Sequence, residues 1–291
     1  TLLWAIPKNM KTYLITGGAG FIGGALTRRL INEGARVFVV DDLSSGKKEN
    51  LPSSVDLHIM SVENPLFAEL VKSAKPDTVF HLAAHISVRN SLKNPLKDAQ
   101  TNILGSINVF EACRKNQIKT IIFPSTSGAL YGEAGVIPTP ETEPLSPMSP
   151  YGAAKISVEN YLYYYANLYG INAHILRLAN VYGPFQGREG EAGVVSEFCN
   201  ARKTGKTAII YGDGNQTRDF IYVDDVVNAF VKVLEKRGYN LYNIGTGIET
   251  SINALWDIIF QDTKTKKCYS EAQKGDVYRS TLNCGKALRE L

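Results

Sequence analysis

The chain has 291 residues, 44% hydrophobic, 21% charged and 10% aromatic, a balance near that of soluble globular proteins that disfavours disordered, collagen-like and coiled-coil classes. Lys and Arg outnumber Asp and Glu by 32 to 28, a formal charge of +4, with no basic run long enough to argue for a nucleic-acid partner. The four cysteines, Cys113, Cys199, Cys268 and Cys284, form no CxxC pair, so neither a zinc knuckle nor a disulfide framework is indicated and a reducing, cytoplasmic setting is expected.

In chain order, residues 1–9 read as a leader or remnant ahead of Met10. Their apolar stretch, Leu2 to Ile6, is far shorter than the ~18 residues of a membrane span and lacks the flanks of a signal peptide, so no membrane partner is expected. Short β-branched runs at Thr12–Thr16, 36–40, 55–60, 78–82, 120–123 and 173–177 read as strands. Amphipathic stretches at Phe21–Asn32, 67–72, 101–115 and 151–169 read as helices. Such alternation predicts parallel strands joined by right-handed crossovers, with helices on both faces. The fold class expected is therefore α/β, a doubly wound parallel-sheet Rossmann domain over residues 10–182. After Gly183 the rhythm breaks into loops at Gly187, Gly190 and Gly193, a helix at 194–203, a strand at 208–211 and a helix at 223–236. Residues 183–291 read as a smaller C-terminal substrate-binding lobe, with 215–236 expected to return to the first domain. The Pro-dense stretch 138–150 reads as a stiff surface loop.

The first strand runs into Gly17-Gly18-Ala19-Gly20-Phe21-Ile22-Gly23 and a helix. Gly17 permits a tight turn, Gly20 lets backbone amides approach a pyrophosphate, Gly23 lets helix and strand pack closely, and the helix N-terminus favours the anion. The second strand ends at Asp41-Asp42, with Asp41 18 positions after Gly23, near the ~20 expected for a carboxylate on the adenosine ribose. Asp41 would repel a 2′-phosphate, so NAD is the expected cofactor over NADP, although Lys47 and Lys48 lie just beyond it. The plainer reading of Asp41 is a cap on the strand-to-loop turn.

Tyr151-Gly-Ala-Ala-Lys155 sets a phenol and an ammonium at i and i+4 on one helix face. The positive charge favours the phenolate, which makes Tyr151 a plausible general base. Upstream, the strand at 120–123 runs into Pro124-Ser125-Thr126-Ser127-Gly128, hydroxyls at the carboxyl end of a parallel strand, where open α/β sheets place their ligands. A tyrosine and a lysine at this spacing are common. The order of glycine turn, acidic residue, hydroxyl cluster and Tyr–Lys pair carries the weight.

From Met10 to Leu291 the chain resembles the extended short-chain dehydrogenase/reductases, in particular the NAD-dependent sugar-nucleotide epimerase/dehydratase family and its UDP-glucose 4-epimerase branch. The segments that carry the resemblance are Thr16 to Gly23, Val79 to Ala84, Leu130-Tyr-Gly132, Ser149 to Lys155, Leu176 to Pro184, Thr217 to Asp225, Tyr242 to Gly247 and Gly275-Asp-Val277. The resemblance implies Tyr151, Lys155 and one hydroxyl as the catalytic set. That hydroxyl is Ser127 counted back from Tyr131, and Thr126 counted from the strand end; Thr126 is favoured, because a strand fixes position more firmly than a loop. Cofactor contacts are implied at Asp42, Leu43, Ser44, Ser45, Gly46, Ser61, Val62, Leu82, Ala83, Ala84, Asn102, Lys155 and Leu178. Sugar-nucleotide contacts are implied at Ser127, Asn180, Val194, Val195, Tyr211, Arg218 and Arg279. Arg218 suits phosphate oxygens, its plainer reading being an ion pair with Asp219.

The activity implied is 4-epimerisation of a UDP-hexose, UDP-galactose to UDP-glucose, through a transient 4-keto sugar, with bound NAD used catalytically. Dehydration is disfavoured, because Ser127, Gly128 and Ala129 follow Thr126 where dehydratases carry an Asp-Glu pair. UDP-glucuronate decarboxylation stays open through Glu133. Gln273-Lys274 replace the arginine usual before the Gly-Asp pair, leaving Lys274 or Arg279 to substitute. Ser280, small where glucose-restricted epimerases carry tyrosine, suggests that UDP-N-acetylhexosamines are also accepted. Relatives continue past the position of Leu291, which suggests truncation. A non-catalytic NAD-binding module is the contrasting possibility. His81 and His85 read as structural rather than metal ligands, and no metal is expected. The tyrosine-rich helix suggests a homodimer, since relatives pair this helix across a two-fold axis.

Overall fold

The structure is a computed structural model that describes residues 10–187, 193–272 and 276–291. The readings placed on residues 1–9, Gly190, Gln273, Lys274 and Gly275 lie outside the described residues. The first half alternates strand and helix as β1 (Thr12–Thr16), α1 (Phe21–Asn32), β2 (Arg36–Asp41), β3 (Asp56–Ile59), α2 (Phe67–Ala74) and β4 (Thr78–His81). Next come α3 (Val88–Lys93), α4 (Pro95–Ala99), α5 (Gly105–Lys115), β5 (Thr120–Thr126), α6 (Gly128–Tyr131), α7 (Pro150–Tyr169), β6 (Asn172–Leu178) and β7 (Asn180–Tyr182). The helix expected over 101–115 begins earlier and in pieces. Asn94 caps α4 by accepting from the Lys97 N–H at 3.1 Å, with Pro95 in the first turn, and a π-helical turn, Gln100–Leu104, joins α4 to α5. Capping and the fixed φ of proline outweigh the apolar period there.

The remaining elements are α8 (Val194–Thr204), β8 (Ile209–Tyr211), β9 (Thr217–Arg218), β10 (Phe220–Tyr222), α9 (Val223–Lys232), β11 (Tyr239–Ile244), β12 (Thr250–Ser251), α10 (Ile252–Phe260), β13 (Cys268–Ser270), β14 (Arg279–Ser280) and α11 (Gly285–Glu290). Seven parallel strands form the central sheet in the order β3-β2-β1-β4-β5-β6-β11. The chain returns to this sheet with β11 as well as with α9, which packs on α1.

Strand alternation divides the core. Ile15, Val39, Phe80, Ile122 and Leu176 point into one cluster with Leu26, Val226 and Phe230 of α1 and α9. Their neighbours Leu14, Val40, Val79, Phe123 and Ile175 point into the other, with Phe67, Phe110, Val158 and Leu162. A third cluster, built on Phe198, Ile210, Trp256 and Phe260, holds α8, β8 and α10 together as a separate lobe. The loop at 138–150 is more than a surface strap: Thr139 is buried and donates its N–H to Thr281 O at 2.8 Å, and Glu141 accepts from the Asn243 N–H at 2.9 Å.

His81 at the end of β4 is wholly buried, with Thr16 Oγ1 2.8 Å from Nδ1 and Ser106 Oγ 2.8 Å from Nε2. Burial pulls its pKa down to about 3, and that of His174 to about 4. Both imidazoles stay neutral in the fold but bind protons near 6.5 when unfolded, so their stabilisation is complete above that pH and is lost as pH falls toward 3. Urea unfolding at pH 7.5 and 5.0 is expected to show stability falling on acidification by up to about 1.4 kcal/mol per pH unit for each imidazole. His81→Asn, which removes one of them, should fall less steeply; an equal slope would refute the role of His81.

Candidate active site

Strand order reverses between β1 and β4, and in a doubly wound sheet this leaves a crevice outside the carboxyl ends of those strands. A cleft of about 360 Å³ opens there. Gly17 has φ +67°, and a Cβ on it would sit 2.7 Å from Ala83 N, so the turn needs glycine for both conformation and space. A Cβ on Gly23 would overlap the Gly17 carbonyl oxygen, which holds α1 close against β1. Gly20, Phe21 and Ile22 complete this wall, where first-turn N–H groups have no intrahelical acceptor.

Asp41 ends β2 and is buried. Its Oδ2 accepts from the Ala19 N–H and its Oδ1 from the Leu43 N–H, both at 2.9 Å. Burial pushes its carboxyl pKa up, and the two N–H groups pull it back. It therefore braces the glycine turn and also faces the cleft. Asp42 fixes Ser44 through the Ser44 N–H and hydroxyl. Asn50, which no sequence pattern marked, donates to Ala19 O at 2.8 Å and lines the same wall.

Across the cleft, β5 carries Pro124, Ser125 and Thr126 to its edge. Helix α7 starts behind Ser149, which accepts from the Gly152 N–H at 3.1 Å, with Pro150 in its first turn. A Cβ on Gly152 would overlap the Ala129 carbonyl oxygen, so this glycine lets the first turn of α7 seat on α6. Tyr151, Lys155 and Thr126 thereby share one wall. Lys155 is 4% exposed; its Nζ donates to Pro124 O at 3.0 Å and lies 4.3 Å from the Phe123 ring centroid and 5.8 Å from that of Tyr151. Burial pulls its pKa down to about 8, against the upward pull of Glu159 and Asp98. It therefore stays charged at neutral pH beside the phenol.

One turn further along α7, Glu159 pairs with Arg177 of β6 at 2.6 Å, both buried. Arg177 also donates to Tyr131 OH at 2.8 Å, which donates to Asn243 Oδ1 of β11 at 2.9 Å. Burial opposes the charge of Arg177, but Glu159 outweighs it and holds the guanidinium pKa above its ordinary value.

Of the remaining expected cofactor residues, Asp42, Ser44, Ser45, Gly46, Ser61, Val62, Leu82, Ala83, Ala84 and Leu178 line the cleft. Leu43 and Asn102 stand outside the lining: the Leu43 N–H is engaged by Asp41, and the Asn102 side chain clamps the His85 backbone. Ser127 also lies behind the wall, buried, with its N–H on Leu178 O at 3.1 Å. The expected substrate residues sit toward the second lobe. Asn180 is exposed on β7, Val194 and Val195 open α8, and Tyr211 ends β8. Arg218 and Arg279 lie on the adjacent strands β9 and β14. The carboxylate beside Arg218 is that of Asp276, at 3.4 Å, and not Asp219, which is buried and accepts from Thr246, Gly247 and Leu282. Arg279 makes a two-pronged pair with Glu249 at 2.8 and 2.6 Å, which pulls the Glu249 carboxyl down to about 2. Among the described residues no cluster of His, Cys, Asp and Glu could hold a metal, and no helix is long and apolar enough to cross a membrane.

A sequence profile of the NAD dependent epimerase/dehydratase family matches residues 13–245. The chain is 42% identical over 276 residues to a putative UDP-glucose 4-epimerase of Methanocaldococcus jannaschii, covering 94% of this chain and 90% of the relative. The solved UDP-glucose 4-epimerase of Thermotoga maritima with UDP-glucose superposes with a TM-score of 0.94 at 45% identity, covering 96% of this chain and 91% of that one. The enzyme of the same name from Thermus thermophilus, in complex with NAD, gives 0.90 at 35% identity, covering 96% and 92%. The cleft suits that dinucleotide on its own evidence: Gly17 and Gly20 open a cradle at the positive end of α1, and a carboxylate ends β2.

Gly152→Ala must lift the first turn of α7 from α6. It is expected to lower stability by about 1–3 kcal/mol, the usual cost of overpacking, and to lower turnover more than tenfold with little change in NAD affinity. Thermal unfolding and NAD titration of the purified variant check this.

Proposed function

The chain belongs to the NAD dependent epimerase/dehydratase family, with NAD as its cofactor, and from that premise we propose that it interconverts UDP-hexoses at the sugar 4-position, UDP-galactose with UDP-glucose. One observation carries the reading. A phenol, a buried ammonium and a threonine hydroxyl share one wall of a cleft whose other wall is the dinucleotide cradle. A chain that only bound NAD would have no need to hold an ammonium in so dry a place.

NAD, when bound, supplies a hydride acceptor that returns what it takes, so the net reaction is an isomerisation. The residues of the chain handle the proton and the position of the sugar. Tyr151 removes the proton from the sugar 4-hydroxyl, and Lys155 keeps positive charge beside the phenol oxygen. Thr126 donates a hydrogen bond to the sugar oxygen as its charge changes. Arg218 grips the diphosphate about which the keto sugar turns, and Asn180, Val194, Val195 and Tyr211 meet the nucleotide. Holding donor and acceptor in one cleft makes the transfer effectively unimolecular.

Two finer readings follow from the second lobe. Ser280 pairs in register with Arg218, and its Oγ lies 3.6 Å from where a Cβ on Gly128 would stand. It thus stands by the first residue of α6, two positions past Thr126, with little bulk, which favours acceptance of UDP-N-acetylhexosamines as well. Glu133 accepts from the Tyr278 N–H at 2.6 Å, which leaves this carboxylate engaged and weighs against UDP-glucuronate decarboxylation. A homodimer completes the reading: Leu92, Leu96, Leu104, Tyr161, Tyr164 and Leu168 are exposed on α3, α4, the π turn and α7. The four cysteines are free thiols, in keeping with a cytoplasmic setting.

Proton NMR of the protein with UDP-galactose and catalytic NAD should show UDP-glucose growing to equilibrium without accumulation of NADH. Tyr151→Phe should slow this by about 10²–10⁴, the range of general acid–base catalysis. Thr126→Ala should slow it more than tenfold, whereas Ser127→Ala stays within a few-fold of wild type. No conversion by wild type would end the UDP-hexose assignment. In the same assay Ser280→Tyr should lose turnover of UDP-N-acetylglucosamine while retaining that of UDP-galactose; equal retention of both would remove Ser280 as the determinant of sugar bulk.

A further inference from the structure

Behind the catalytic wall, Asp98 on α4 is 3% exposed. Its Oδ1 accepts from Asn102 Nδ2 at 3.0 Å, while its Oδ2 is buried with no hydrogen-bond partner. A buried carboxylate oxygen left unpaired is expensive, and such exceptions call for a reason. Helix α4 packs directly on α7. Asn102 also holds both sides of the His85 backbone, through the His85 N–H at 2.8 Å and the His85 carbonyl at 2.9 Å, and His85 and Lys155 both line the cleft. Asp98 is thus tied by one residue to the floor of the active site.

Lys155 has the complementary need. An ammonium carries three donors, and Pro124 O takes one of them. The groups around it are few. On α7 they are Tyr151 and Glu159, and the charge of Glu159 is committed to Arg177 of β6 at 2.6 Å. From β5 come the Phe123 ring, the Pro124 carbonyl and the Ser125 hydroxyl, buried without a partner, and from β4 the neutral His81. On α3, Arg89 and Lys93 are exposed, and on α5 Glu111 is held by Arg114 and Tyr165. Of the two buried oxygens here without a partner, Ser125 Oγ and Asp98 Oδ2 across the helix interface, only the second carries a charge.

We propose that Asp98 is the counter-charge of Lys155, a positioning residue whose free oxygen receives a hydrogen bond from the ammonium through one water. The mutual electrostatics agree. Burial pulls Lys155 down while Glu159 and Asp98 pull it up, and burial pushes Asp98 up while Asn102, His85 and Lys155 pull it back. Asp98 thereby keeps the ammonium charged in a dry site, so that its field reaches the phenol of Tyr151. The inference rests on the proposed roles of Tyr151 and Lys155, but its first test needs no sugar substrate.

The test is an NMR titration of NAD-loaded protein carrying [ε-13C]lysine, in which the Lys155 signal is identified by its loss in Lys155→Met. Asp98→Asn should lower the Lys155 midpoint by about one pH unit, tenfold in the proton's binding constant, while Asp98→Glu, which keeps the charge, should restore at least half of that difference. An unchanged midpoint in a folded Asp98→Asn variant overturns the proposal. Should that variant fail to fold, [γ-13C]aspartate in wild type decides: the Asp98 signal should move at the Lys155 midpoint, as coupled sites do, and no movement overturns the proposal. With UDP-galactose, the alkaline limb of kcat should move down in step with the Lys155 midpoint in Asp98→Asn, with KM within about twofold. A uniform loss at every pH would mark a merely structural residue and overturn it. Failure of wild type to turn over UDP-galactose would end the activity reading and leave the titration intact.

Discussion

The rotational setting of α7 rests on the buried pair of Glu159 and Arg177, 2.6 Å apart. Tyr151, Lys155 and Glu159 follow at steps of four residues, so they share one face of the helix. A buried ion pair adds little net stability, but separating its partners costs about 3–5 kcal/mol, because an uncompensated charge is left in the core. Rotations of α7 that would unpair Glu159 are therefore excluded, and Tyr151 and Lys155 are delivered to the cleft by the same constraint. Tyr131 and Asn243 extend the network to β11, so the last strand of the sheet and α7 are fixed together.

The site also owes its properties to where the sheet changes direction. Strand order reverses beside β1, which leaves room outside the strand ends, and the glycine turn, Asp41 and the β5 edge all reach it. The packing of α7 on β5 buries Lys155 in its wall, away from water. Dryness is what weakens the hold of Lys155 on its proton, and it strengthens the field that the remaining charge exerts on its neighbours. The second lobe, with its own apolar core, brings Arg218, Arg279 and Ser280 to the open side on two short strands.

Much of this was legible along the chain. Gly17, Gly20 and Gly23 imply a turn, a cradle and a close contact, and the φ of Gly17 and the overlap that a Cβ on Gly23 would suffer give the physical grounds. The i, i+4 spacing of Tyr151 and Lys155 is likewise local. Other features have no local signature. Asn50 reaches back to Ala19, Pro124 contributes only a carbonyl, Asn102 turns to His85, and Arg279 is engaged by Glu249. Each depends on a partner 17 to 31 residues away, which no periodicity encodes. The early start of α4 was missed for a different reason, since a capping Asn and a proline overrode the apolar pattern.

The sequence by itself determined the α/β alternation, the glycine turn, the acidic end of β2 and the helix face bearing phenol and ammonium. Those are statements about neighbours in the chain, governed by backbone geometry and side-chain period. Only the tertiary structure decided that Thr126 rather than Ser127 faces the cleft, that β11 closes the sheet, that Asp276 rather than Asp219 sits by Arg218, and that Asp98 lies buried behind the wall with a free oxygen. These depend on which surfaces are driven together when apolar faces leave water and on which polar groups must then find partners inside. That matching is made by the whole chain at once.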